Sequence, residues 1–339
     1  MKTITFGELL LRLEPEGFFR FVQAEKLTST FGGAEANVAV SLANFGAESF
    51  YVTKLPAHEI GQSGVNSLRR FGVKTDFIVR GGNRVGIYFN ERGASQRPSK
   101  CIYDRKNSAV AESVRADYDW RKIFCGAEWF HFSGITPALG GELPEICMEA
   151  CKVAKEMKIP VSCDLNYRTK LWSKSEAKSV MEKFMPFVDL CISNEEDARD
   201  VFGIEADGTD VESGKLNKDG YKSVAKKLSE RYGFKSVAVT LRTSINASVN
   251  RWSALFFDGK EFFFSREYEM NIVDRLGGGD SFSAGLIYSI LQKKSPQECV
   301  EFASAASCLK HSVEGDFNMV SVDEVEKLAS GDASGRILR

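Results

Sequence analysis

An α/β fold with one mostly parallel sheet, helices on both of its faces and a small separate β-layer is what this sequence predicts. Three observations carry the prediction. Short apolar runs alternate with stretches of helical periodicity along most of the chain, two stretches in the N-terminal third break that rhythm with extended segments, and no repeat, low-complexity tract or linker divides the 339 residues. A chain of this length buries roughly 75% of its unfolded surface, so a sizeable core forms without staples.

Lys2 to Gly7 alternates as a first strand, and Gly33 to Gly46 carries Val38, Leu42 and Phe45 at helical spacing. Ser49 to Leu55 reads as strand, Glu59 to Phe71 as helix, and Trp129 to Ser133 as strand. The helix Glu142 to Lys158 leads into the short strand Ile159 to Asp164. Pairs continue with helix Ser175 to Phe187, strand Asp189 to Ser193, helices Glu195 to Phe202 and Gly220 to Tyr232, and strand Ser236 to Leu241. Gly278 to Gln292, Pro296 to His311 and Ser321 to Ala329 close the chain as helices. The exceptions, Leu9 to Val22 and Val85 to Tyr103, are extended and apolar at intervals, as a small layer over the main sheet would be. Trp252 to Phe264 turns at Asp258-Gly259, a hairpin signal. The polar segment Ala206 to Asp219 reads as a surface insertion.

The charges nearly cancel, with 45 basic against 46 acidic side chains and no long run of one sign. Such a chain has no electrostatic footprint for nucleic acid or an acidic membrane face. The eight cysteines (101, 125, 147, 151, 163, 191, 299 and 308) form no CxxC pair and mostly stand among apolar neighbours. They read as reduced core residues of a cytosolic protein. His58, His131 and His311 are too scattered for a histidine-rich metal site. Met1 to Leu13 is interrupted by Glu8 and Arg12 and has no small-residue cleavage site, and no segment approaches 18 uncharged apolar residues. A cytoplasmic location is expected.

The most informative segment is Val273-Asp274-Arg275-Leu276-Gly277-Gly278-Gly279-Asp280-Ser281-Phe282, which runs into an apolar-periodic helix. Three glycines let backbone approach a ligand closely, and the first amides of the helix meet it with the positive end of the dipole. An acid at Asp280 suits that anion hole only as a base, since its charge repels the group the amides attract. A plain structural reading stands beside this, with Asp280 as an N-cap and the glycines as a loop. The chain has neither GxxxxGK[ST] nor GxGxxG, which argues against a Walker-type ATPase and a Rossmann dehydrogenase. A second turn, Phe31-Gly32-Gly33-Ala34-Glu35-Ala36-Asn37, also feeds glycines into a helix.

Together the two glycine turns and the small β-layer resemble the ribokinase-like sugar kinases, the PfkB family. The first cluster is similar to that family's GAGD signature with Gly278 in place of alanine, and the second to its GG...N sugar-binding turn. The resemblance spans the chain from Phe6-Gly7-Glu8 to Gly315-Asp316-Phe317. It implies a ribokinase-like three-layer sandwich in one domain, residues 1–339, with a β-lid from segments near 9–30 and 84–108. Ile102-Tyr103-Asp104-Arg105 and Asp164-Leu165-Asn166-Tyr167-Arg168 with Leu171-Trp172 look like segments of 2-keto-3-deoxygluconate kinases, where arginines face a sugar acid. Arginine suits that task, because a carboxylate leaving water needs a charge-assisted, preferably bidentate donor.

The resemblance implies a sugar side of Gly32, Gly33, Asn37, Tyr88, Tyr103, Arg105, Arg168 and Asp316, with Asp280 as base. It implies an ATP side of Asn166, Arg168, Asn194, Thr240, Arg242 and the amides of Gly277, Gly278 and Gly279. Arg168 could touch the substrate carboxylate, the transferred phosphate or both. Tyr88 and Tyr103 also fit a lid core, and Asp316 an ordinary turn. Asp164, Ser193 and Leu241 each close an apolar strand, so Arg168, Asn194 and Arg242 fall just past the carboxyl ends, where open α/β sheets bind ligands. Two departures from the family stand out. Its Asn-x-x-Glu, which organises Mg²⁺ through water, reads Asn194-Glu195-Glu196-Asp197 here, and Arg242 replaces a common glycine. Asn194 with Asp197 could equally be a capped helix start.

The expected activity is ATP-dependent phosphorylation of 2-dehydro-3-deoxy-D-gluconate at its terminal (C6) hydroxyl, with Mg²⁺. Asp280, with an ordinary carboxyl pKa near 3.9, is expected ionised at pH 7. The alternatives are a fructokinase or other neutral ketose kinase, and a silent family member acting as a binding subunit. A homo-oligomer formed through the lid edge is also expected.

Overall fold

Every residue of the strand Trp129–Ser133 is buried, the mark of a strand covered on both faces. In the computed structural model, which describes residues 1–205, 218–332 and 335, such strands form the centre of the molecule. The chain opens with β1 (Lys2–Phe6), β2 (Leu10–Glu14), β3 (Thr28–Gly32), α1 (Ala34–Asn44), β4 (Glu48–Leu55), α2 (Glu59–Arg69), β5 (Ile78–Arg80), β6 (Gly86–Glu91) and β7 (Lys100–Asp104). It continues with α3 (Trp120–Ile123), β8 (Trp129–Ser133), α4 (Ile135–Ala138), α5 (Leu143–Glu156), β9 (Val161–Asp164), α6 (Lys174–Phe184), β10 (Leu190–Asn194), α7 (Glu195–Phe202) and α8 (Lys218–Tyr232). Last come β11 (Ser236–Ser244), β12 (Val249–Phe257), β13 (Phe262–Phe264), β14 (Tyr268–Asn271), α9 (Gly278–Leu291), α10 (Pro296–Lys310) and α11 (Val322–Ala329).

The main sheet runs β13-β12-β11-β10-β9-β8-β1-β4-β5, with β14 also on β12. Pairing is parallel from β11 to β5 and antiparallel from β11 outward through β12 to β13 and β14. Alternate residues of each inner strand feed opposite layers, as a period of two requires. Phe130, Cys191, Val237 and Val239 join the core under α5, α6, α7 and α8, while Trp129, Leu190, Ile192 and Ala238 join the one under α1, α9, α10 and α11. Three helices start on the same local signal: Ser173, Ser295 and Ser321 each form a capping box with the glutamate three residues on. The fold is therefore the expected three-layer α/β sandwich.

The second sheet, β3-β2-β6-β7, stands apart from the first. It is stitched across sequence by the parallel pair β2–β6, with β3 and β7 antiparallel on its flanks. The segment Leu9 to Val22 is not one extended stretch, because strand pairing stops at Glu14 and the chain turns through Pro15 to Leu27. The returning strand β3 opens on Thr28, Ser29 and Thr30, all exposed and without an apolar alternation to betray it. A second correction concerns Leu241, which does not end its strand. β11 continues to Ser244 and returns as β12, so Arg242 sits inside a ladder opposite Trp252. The proposed surface insertion lies outside the described residues except for Lys218 and Asp219, which begin α8.

Arg12 ties the lid sheet to the connections before α9 and after α10. It projects from β2, is 1% exposed, and donates to Asp274 Oδ2 at 2.6 Å and Asp316 Oδ1 at 2.7 Å, with Glu14 also against it. Burial works against its charge, but Asp316, Asp274 and Glu14 outweigh that and hold its pKa above the usual arginine value. Arg12→Met keeps an apolar stem yet strands these carboxylates, and should cost about 3–5 kcal/mol of stability, read as a lower midpoint in denaturant at unchanged slope. A midpoint within experimental error of wild type would show that the lid is held by packing alone.

Candidate active site

The site grows from two glycine turns that meet. Gly277 caps α9 in the left-handed region (φ 80°), and a Cβ there would come within 2.0 Å of the Asp316 carbonyl oxygen. Only glycine fits, and the following amides open the helix toward the cleft. Gly33 caps α1, where a Cβ would come within 2.1 Å of the Glu8 carbonyl. Asn37 bridges the turns: its Oδ1 accepts from Gly33 N at 3.3 Å and its Nδ2 donates to Asp280 Oδ2 at 2.7 Å. One polar atom of Asn37 is thus held by the Gly33 turn while the other holds the carboxylate, and it orients the candidate base.

Asp280 is half-buried in the first turn of α9. Burial pushes its pKa up to about 7, reinforced by Glu35 and Asp316 and opposed by the Asn37 hydrogen bond and Arg168. The ionised form therefore does not dominate at pH 7 as an ordinary carboxyl pKa implies; both forms are present. Glu35 was not singled out from sequence. It lies buried in α1 and accepts from Ser133 N, Ser133 Oγ and Thr136 Oγ1 at 3.0, 2.6 and 2.8 Å, tying α1 to β8 and α4.

At the carboxyl ends of β9 and β10 stand two more acids. Asp164 Oδ1 accepts from Asn166 N at 3.2 Å, with Asn166 held at a positive φ of 40°, and Asp197 Oδ1 accepts from Tyr167 N at 3.1 Å. Burial raises Asp197 to about 6 and Asp164 well above the carboxylate range, the latter also repelled by Asp197 and Asp280. Two carboxyl groups lining one cleft, with no cation in ion-pair contact with either among the described residues, are hard oxygen donors that fit Mg²⁺. Asn194, expected beside Asp197 in organising Mg²⁺ through water, caps a helix. Its Oδ1 accepts from both Glu196 N and Asp197 N at 2.8 Å, capping α7, and the residue also lines the cleft.

Two clefts converge here. The first, about 490 Å³, is lined by Asp164, Asn166, Asn194, Asp197, Thr240, Arg242, the turn from Gly277 to Asp280, and His311. The second, about 1030 Å³, runs under β7 and is lined by Tyr103, Arg105, Leu139 and Lys170. Arg168 lines both. Its guanidinium is exposed, donates only to the Tyr167 carbonyl at 3.0 Å, and has no carboxylate within ion-pair distance among the described residues. Arg105 is differently placed: its Nε donates to the buried Glu8 at 2.7 Å, so its charge is already matched.

Three residues expected on the sugar side turn inward instead. The Tyr88 hydroxyl donates to Asp316 at 2.6 Å, Asp316 also takes Arg12, and Gly32 lies so close that a Cβ would come within 2.2 Å of Asp316 Oδ2. They form a buried knot beneath the lid sheet. Tyr103, stacked on Tyr88 at 5.9 Å between ring centroids, faces the larger cleft. Sequence reading also missed His311. Its Nδ1–H donates to the Ser307 carbonyl at 2.7 Å, and burial lowers its pKa to about 4, so it is neutral. A Cβ on Gly278 would come within 2.4 Å of the His311 ring, which explains why glycine stands here.

Amides at a glycine-led helix start, a carboxylate poised beside them and a second cleft for an acceptor define a phosphotransferase acting on a small hydroxylated substrate. The chain belongs to the pfkB family carbohydrate kinases, whose pattern matches residues 10–322. It is 53% identical to a 2-dehydro-3-deoxygluconokinase from Thermotoga maritima of known crystal structure, with a TM-score of 0.95 over 98% of this chain and 100% of that one. It is 32% identical to a 2-dehydro-3-deoxygalactonokinase from Haloferax volcanii, covering 98% of each. A 2-dehydro-3-deoxygluconokinase from Bacillus subtilis is 26% identical over 97% of this chain and 95% of the other.

A base with a pKa of about 7 must lose its proton to work. Between about pH 5 and pH 7, kcat/KM should therefore rise roughly tenfold per unit and then level; Asp280→Asn should lose about 10²–10⁴ in kcat together with that bend. A bend near the ordinary carboxyl range, or a variant with most of its kcat, would remove Asp280 as base. Gly278→Ala should cost about 1–3 kcal/mol through its collision with His311, while Gly278→Ala/His311→Ser should recover most of it. Equal loss in single and double variants would acquit His311.

Proposed function

We propose that this kinase transfers the γ-phosphoryl group of ATP to the C6 hydroxyl of 2-dehydro-3-deoxy-D-gluconate. The observation that carries the reading is Arg168, an uncommitted cation common to the phosphate cleft and the acceptor cleft. A second cation, Lys170, stands beside it, its Nζ donating to the Cys101 carbonyl at 3.1 Å. With a neutral ketose the phosphate alone would answer Arg168 and nothing would answer Lys170, whereas a sugar acid supplies the second negative charge. The similarity to sugar-acid kinases over nearly the whole chain supports the same choice.

In this mechanism Asp280 takes the proton of the C6 hydroxyl as its oxygen attacks the γ-phosphorus in line and ADP leaves. Asn37 holds the carboxylate toward the acceptor. The amides of Gly277, Gly278 and Gly279 and the Arg168 guanidinium receive the charge spread over the transferred group. Thr240, Asn166, the Asn194 amide and Arg242 line the nucleotide side. Asp164 and Asp197 would hold Mg²⁺, directly or through water, and the ion when bound neutralises the phosphate oxygens. The β2, β3, β6 and β7 sheet acts as a lid that keeps competing water from the phosphoryl group. The Haloferax relative favours one neighbouring reading, the galactonate epimer as substrate.

An ATP-consumption assay over both 2-dehydro-3-deoxy acids, fructose and ribose tests the assignment. An acid should lead the neutral sugars by about 10² in kcat/KM. Because the Arg105 charge is already matched by Glu8, the informative variant is Lys170→Met, which removes the second free cation of the acceptor cleft. It should cut efficiency on the acid by about tenfold or more and leave fructose unchanged. Preference for fructose, or an equal fall on both substrates, would replace the acid with a neutral ketose.

A further inference from the structure

Lys310, the last residue of α10, is 0% exposed, yet no carboxylate lies within ion-pair distance of it among the described residues. Its ammonium instead takes main-chain oxygens, Val313 at 3.1 Å and Asp274 at 3.5 Å. Both belong to the segments that build the phosphate turn. Asp274 leads through Leu276 into Gly277, and Val313 leads to Asp316, whose carbonyl presses on Gly277. The stem passes behind the same glycine, with Lys310 Cε 3.3 Å from where a Gly277 Cβ would be. Burial lowers its pKa, while Asp274, Asp316 and Asp280 oppose loss of the proton and Arg12 favours it.

A lysine ammonium is a compact charge with three donors, close in size to a dehydrated potassium or ammonium ion, and carbonyl oxygens are what such ions bind once stripped of water. We propose that Lys310 is a built-in monovalent cation for this kinase, a positioning residue that clamps the carbonyls behind the Gly277–Gly279 amides and fixes positive charge there. The enzyme then needs no dissolved monovalent ion. The inference rests on the phosphoryl-transfer reading and adds to it the identity of the charge behind the anion hole.

The test compares wild type, Lys310→Ala and Lys310→Met with tetramethylammonium as the only monovalent cation, then with added KCl, NH4Cl or methylammonium chloride. Wild-type kcat should stay within about twofold throughout. Lys310→Ala should lose about 10² in kcat, as expected when a phosphate-binding device is displaced, and regain at least tenfold of it with the small cations. Lys310→Met, whose stem fills the hole, should be equally slow and gain nothing. Thermal unfolding of each protein establishes that a slow variant is folded, and if the alanine variant is not, the wild-type ion series and the methionine variant still decide. Strong activation of wild type by potassium, a methionine or alanine variant of nearly wild-type kcat, or a folded alanine variant that no small cation restores would each overturn the proposal. A wild type inert on every sugar would overturn the kinase reading instead; calorimetric ATP binding in the same ion series then tests Lys310, with the same order expected.

Discussion

The Arg12 guanidinium, held between Asp274 and Asp316, is the interaction on which the site depends. Asp274 is shared: Oδ2 also accepts from Gly315 N at 3.1 Å, and Oδ1 from Leu276 N at 3.1 Å. One carboxylate thereby fixes a lid strand, the approach to the phosphate turn and the loop after α10. Buried ion pairs of this kind add little net stability, because desolvation offsets the attraction, but they permit few alternative arrangements. Here the arrangement they select puts Gly277 against the Asp316 carbonyl and so sets where the α9 amides point.

Around that knot the charges are sorted. Acids collect at the carboxyl ends of the parallel strands, where Asp164, Asp197 and Asp280 are all driven toward protonation by burial. Cations sit behind them or across the cleft, in Lys310, Arg242 and Arg168. Two helices, α1 and α9, aim their N-termini at the same point, and Asn37 links them. A site so acidic when empty is poised to gain from a cation-bearing polyanion, whose arrival relieves the repulsion. The eight cysteines take no part in this; all are free thiols, and Cys147, Cys151, Cys163, Cys191 and Cys299 are buried.

Most of this was legible from residues with strong local signals. Apolar runs marked the parallel strands, and glycines marked both turns because backbone there touches backbone. The resemblance carried the family and the lid. What local pattern could not reveal was which partner a side chain meets. Tyr88 and Asp316 are 228 residues apart and bind each other, and Arg12 finds its carboxylates 262 and 304 positions away. Nothing near Arg12 in sequence says that it is buried, since arginine is usually exposed. The strand Thr28–Gly32 was invisible for a related reason, because a lid edge facing solvent has no apolar face to display. Asn194 shows the converse, a residue whose capping geometry was foreseen as an alternative and which the fold uses in that way.

The lid is made from two stretches of chain, Leu10–Glu14 with Thr28–Gly32 and Gly86–Glu91 with Lys100–Asp104, and the parallel pairing between them encloses α1, β4, α2 and β5. Closing a loop of that length is entropically costly until its contents have folded. The layer therefore depends on a body already formed, because the pairing β2–β6 has to close over it. It also means that no single cut removes it: in this architecture the cover cannot be lost, borrowed or inherited as a separate module, and it changes only together with the chain that runs beneath it.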